Sequence, residues 1–144
     1  MNWFILIMSE SNGKHYLSQV TIHRARLIWS FITFINIFFS GEKSDIIIII
    51  SGEESHNAHF LVLYIRCKEI CNDIIQANGF KYLEKWSHLS KKVVVSFLSY
   101  IYSGIIDLEI ITSEDLNNAK YLSENYPTLE GWRLYVENYV DQIQ

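Results

Sequence analysis

Ser44-Asp45-Ile46-Ile47-Ile48-Ile49-Ile50-Ser51-Gly52-Glu53-Glu54-Ser55-His56-Asn57-Ala58-His59-Phe60-Leu61-Val62-Leu63 is the stretch whose pattern decides the fold. Five consecutive isoleucines show no apolar–polar alternation, which predicts a strand covered on both faces. Ser51-Gly52-Glu53-Glu54 is polar, includes a glycine able to take positive φ, and is short enough for a hairpin turn. The chain returns through Ser55–Ala58 and passes at once into an apolar segment at helical spacing. The predicted order is strand, tight turn, strand, helix.

On the N-terminal side of this stretch, apolar density rises sharply from Ala25. Leu27, Ile28, Phe31, Ile32, Phe34, Ile35, Ile37, Phe38 and Phe39 leave only Ser30, Thr33, Asn36 and Ser40 as a narrow polar stripe. A helix apolar around most of its circumference must be buried on more than one side. In a domain this small the core covers one side, so either a partner's surface lies on the other or the segment is aggregation-prone. Gly41 is the expected residue beyond the helix C-terminus. Thirteen helical residues span about 20 Å, short of the ~30 Å hydrocarbon core of a bilayer, so no membrane span is expected. Met1–Met8 is apolar but has neither a basic flank nor a small-residue cleavage site, unlike a signal peptide. Residues 1–24 form an unassigned N-terminal segment, with a short strand at Trp3–Ile7 and a polar turn around Ser11-Asn12-Gly13-Lys14 as the expectation.

On the C-terminal side, the spacing predicts a helix over Phe60–Ile75. Val62, Leu63, Ile70, Ile74 and Ile75 would face inward, with Arg66, Lys68, Glu69 and Asp73 outward. Asn78-Gly79 breaks it. Lys81–Leu89 is expected to be a loop with a short strand at Trp86–Leu89. Ser90 caps the next helix, whose Val94, Phe97, Leu98 and Ile101 recur at i, i+3, i+4 and i+7. Ser103-Gly104 stops that helix, and Ile105–Ile111 follows as an extended acidic segment. Ser113 with Glu114 and Asp115 opens another helix, acids in its first turn. Leu116, Ala119 and Leu122 line it. Asn125-Tyr126-Pro127 interrupts, and Trp132, Tyr135, Val136 and Tyr139 line a last helix at a spacing that favours core packing over an exposed binding face. Few strands and helices in runs indicate an α+β fold, a small sheet with a helical cluster.

Length and composition bound the function. At 144 residues a single domain is expected, and 49% hydrophobic with 15% aromatic residues excludes disorder. The net charge is −4, and between Ile105 and Gln144 eight acidic residues face two basic ones. No basic stripe exists for direct nucleic-acid binding. The two cysteines, Cys67 and Cys71, lie four apart on one expected helix, which fits a reducing setting better than a disulfide scaffold. His56 and His59 beside Cys67 and Cys71 offer zinc-ligand types, but no CxxC or HxxxH spacing supports a site, so no metal or other cofactor is expected. A Cys–His catalytic pair lacks any flanking signature, and no glycine-rich oxyanion or phosphate loop is present, so no enzymatic activity is expected.

Asp45, the apolar strand and Ala58-His59-Phe60-Leu61-Val62-Leu63, followed downstream by Tyr100-Ile101-Tyr102-Ser103-Gly104, together resemble the BTB/POZ domain, over roughly residues 25–141. That resemblance implies a homodimer built on the first helix. The implied interface residues are Leu27, Ile28, Phe31, Ile32 and Ile35, with Asp45 in a charged pocket near it and His59 a structural histidine at the strand–helix junction. Val62-Leu63-Tyr64-Ile65-Arg66-Cys67 and Asn78-Gly79-Phe80 further resemble the BTB domain in the scaffold subunit of structure-specific endonucleases. This implies a nuclear protein of DNA repair and recombination that dimerises and positions nuclease subunits. Lys68 stands where that subfamily has proline. The alternative implied by the wider family is an adaptor that recruits a cullin-type ubiquitin ligase, a role that needs a substrate-binding domain such as MATH or Kelch.

Overall fold

Alternation, hidden in the sequence of the isoleucine run, is imposed on it by strand geometry. The structure, a computed structural model, describes residues 32–33, 36–37, 40–51 and 54–143, all within the unit Ile32–Gln144. Strand β1 (Ile46–Ile49) pairs antiparallel with β2 (Ser55–Ala58), from Ile46 opposite Ala58 to Ile49 opposite Ser55. The Ile50 N–H closes the hairpin on the Glu54 carbonyl at 2.9 Å. Gly52, expected to shape this turn, lies outside the described residues. Ile46, Ile48 and Ile50 are buried, whereas Ile47 and Ile49 are half-buried. The expectation of full cover on both faces is therefore corrected. Successive side chains of a strand point to opposite faces, and only one face of this strand meets the core.

The helix expected over Phe60–Ile75 is broken. Helix α1 (Phe60–Arg66) ends where Cys67 adopts φ −154° and ψ 82°, and a single turn, α2 (Lys68–Cys71), follows. Ile75 is not an inward helical residue. It starts strand β3 (Ile75–Ala77), which pairs antiparallel with β4 (Phe80–Leu83), and it is 46% exposed. Asn78 at φ 51° and Gly79 at φ 82° connect the two strands. Positive φ at both central positions is the requirement of the tight hairpin turn that Asn-Gly favours. The strand expected at Trp86–Leu89 is displaced to Phe80–Leu83; Trp86 and Leu89 are buried residues of a turn-rich connection.

The sheet order is β2-β1-β4-β3, with β1 and β4 parallel. Register sorts its side chains. Ile46, Ile48 and Leu83 share the core face. Ile47 lies beside Tyr82 on the other face, with Ile49, Ile75, Ala77 and Phe80. Phe80 is 57% exposed there.

Three helices of similar length complete the α+β fold: α3 (Lys91–Ser103), α4 (Ser113–Asn125) and α5 (Glu130–Ile143). Ser90 accepts the Val93 N–H, and Gly104, at φ 77°, donates its own N–H to the Tyr100 carbonyl, as the sequence predicts for the two ends of α3. The cap of α4 is Thr112 and not Ser113. Its hydroxyl accepts the Asp115 N–H while the Asp115 carboxylate accepts the Thr112 N–H, a reciprocal arrangement that satisfies two otherwise unpaired donors.

The centre of the core is aromatic. The Phe97 ring lies 4.9 Å from that of Trp132, 5.6 Å from Trp86 and 5.9 Å from Tyr126, all within the range of favourable ring contacts. Polar tips are paired: Trp86 Nε1–H donates to the Tyr126 hydroxyl at 2.9 Å, and that hydroxyl donates to Asp73 at 2.8 Å. Trp132 Nε1–H reaches the Ala119 carbonyl. These bonds tie the turn after α2, the connection before α3, α4 with its C-cap Tyr126, and α5 around one cluster.

Candidate interaction surface

Residue 45 shows how the start of β1 organises the surface beside it. The Asp45 N–H bonds to the Ala58 carbonyl, which extends the β1–β2 pairing by one residue. Its Oδ1 accepts the Phe60 N–H at 2.7 Å, so the acid caps α1 from a neighbouring strand. Its Oδ2 receives Lys81 Nζ from β4 at 3.1 Å. Burial pushes the Asp45 carboxyl up, but the Phe60 N–H and the Lys81 ammonium outweigh it and hold the group below its ordinary value. The carboxylate is about half exposed, so it works as a cap and a surface ion pair and not as a buried charge.

His59, between β2 and α1, is buried and fully engaged. Its backbone N–H donates to the Tyr102 hydroxyl at 2.9 Å, and its Nδ1 meets the same hydroxyl at 2.7 Å. Its Nε2 lies 2.6 Å from the Glu42 carbonyl. A carbonyl can only accept, so Nε2 carries the proton, and the tautomer with Nδ1 free to accept from Tyr102 completes all three bonds. Burial, opposed by the His59 N–H, pushes the Tyr102 phenol up to about 12. His59 therefore ties the turn before β1 to the last turn of α3. Both ring nitrogens are used, and no group of three or more metal-ligating side chains occurs among the described residues. Cys67 and Cys71 are free thiols, and burial pushes both up in pKa, away from nucleophilic thiolate chemistry.

Beside this network opens a cleft of about 420 Å³ lined by Ile37, Glu42, Lys43, Asp45, His59, Leu61 and Val62. Helix α1 forms one wall. It buries only Leu63 and leaves Leu61 66% exposed, Ile65 70% and Tyr64 45%. These three lie at i, i+3 and i+4, so they make one continuous outward stripe. Ile32 is also exposed. Residues 32, 33, 36, 37 and 40 are helical, and the Gly41 N–H caps them on the Ile37 carbonyl with φ 62°. Leu27, Ile28, Phe31 and Ile35, the other interface residues expected from sequence, lie outside the described residues, as does the start of the domain expected at residue 25. Among the described residues no helix is long and apolar enough to cross a membrane.

The structure thus brings Asp45 and His59 to one cleft, as their neighbouring places in the motif suggest. It adds partners that the sequence did not assign. Lys81 and Tyr102 lie 36 and 43 positions away from the residues they bond, and only the parallel pairing of β1 with β4 and the packing of α3 bring them there. The exposed stripe was also missed, since Leu61, Tyr64 and Ile65 sit inside a motif otherwise read for its buried positions.

The solved BTB domain of zebrafish PATZ1 matches this arrangement with a TM-score of 0.57 at 22% sequence identity. The match covers 88% of this chain and 98% of that domain. The chain has a BTB-type fold. No family model matches the sequence, and no curated protein does. The BTB-type fold therefore stands on geometry, and in sequence on the short motifs around β1, α1 and the end of α3.

Proposed function

We propose that this BTB-type domain is a non-enzymatic interaction module that pairs with a second copy of itself. The observation that carries this is the outward stripe of α1. Helix α1 packs Phe60, Val62 and Leu63 on the core, while Leu61 and Ile65 keep most of their surface in water beside the cleft. Burying each such side chain is favourable by about 1.5–3 kcal/mol. A two-fold arrangement removes the stripe from solvent in both copies at once, because the same patch covers itself.

The finer proposal is a nuclear scaffold that assembles structure-specific nucleases for DNA repair and recombination. It rests on Val62–Cys67 and Asn78–Phe80, whose order resembles that subfamily. Pull-down of the tagged domain from nuclear extract with probes for nuclease subunits and for a cullin scaffold tests it. Saturable recovery of a nuclease subunit without cullin is the expected outcome. Stoichiometric cullin binding would replace the scaffold role with that of a ligase adaptor.

A further inference from the structure

We draw no further inference here: the strongest candidate, the uncharged outer face of the sheet formed by Ile47, Ile49, Ile75, Ala77, Phe80 and Tyr82, carries nothing because nothing in the structure shows what covers it.

Discussion

Helices α1 and α3 are both rich in apolar residues, and they spend them differently. Helix α3 has thirteen residues and buries six: Val93, Val94, Phe97, Leu98, Ile101 and Tyr102. Helix α1 has seven and buries one, with three large apolar side chains turned to water. Hydrophobicity alone does not separate the two. What separates them is how much of each the core takes up: α3 packs on α1 and α4 and carries Phe97 into the aromatic cluster, while α1 gives the core Leu63 with Phe60 and Val62 beside it. Apolar surface left over after the core is satisfied is what a contact face can use, and α1 holds part of that surplus.

The largest expected effect lies on the α3 side of this contrast. Phe97→Ala removes a ring that is fully buried among Trp86, Tyr126 and Trp132 and should cost roughly 3–5 kcal/mol in urea-induced unfolding. A loss below about 1 kcal/mol would mean that the cluster repacks freely and that α3 is no better committed to the core than α1.

Asp115 offers a second, smaller probe of how firmly the helical cluster is held. Burial pushes its carboxyl up, but Lys92 at 3.0 Å and the N–H groups of Ile111 and Thr112 outweigh this and hold it below its ordinary value. A depressed folded-state pKa means that the unfolded chain binds the proton more readily. The stabilisation is therefore complete above the unfolded pKa of about 3.9 and is lost as the pH falls through the lower folded value. Asp115→Asn should cost about 1–2 kcal/mol at neutral pH. The gap between variant and wild type should shrink in acid below about pH 4, as Asp115 protonates. A gap that stays constant from pH 7 to pH 2 would show that the charge does not stabilise α4.

The hairpin between β3 and β4 sharpens the question of what the sequence reveals. Gly79 has open space where a Cβ would stand, so Gly79→Ala meets no clash, and only its φ of 82° resists the change. The expected loss is about 1–2 kcal/mol, read as a lowered urea midpoint. An unchanged midpoint would show that the turn shifts without penalty and that β3 is not pinned by it.

That turn also shows why part of the fold was legible and part was not. The strand–turn–strand–helix order around β1, the Ser90 and Gly104 ends of α3 and its inner face were all readable, because each depends on residues within a few positions of one another. Ile74-Ile75 fits a helical face and a short strand equally well, and Asn78-Gly79, read as a stop, is in fact the hairpin signal. Strand β4 was misplaced for the same reason, since Trp86 and Leu89 are apolar through burial in the core and not through sheet pairing. The network at the cleft was only half legible. Asp45 and His59 stand in the motif, but Lys81 and Tyr102 reach them across the sheet and from α3, and no local pattern encodes such distances.

The central claim is that the α1 stripe is covered by a second copy. Multi-angle light scattering on the purified chain at micromolar concentration should give twice the chain mass of 17.0 kDa. The double change Leu61→Lys with Ile65→Lys alters only exposed positions, so helical circular dichroism should be retained while the mass falls to that of one chain. A wild-type protein that remains a soluble monomer, or a double variant that remains a dimer, would contradict the assignment of this face.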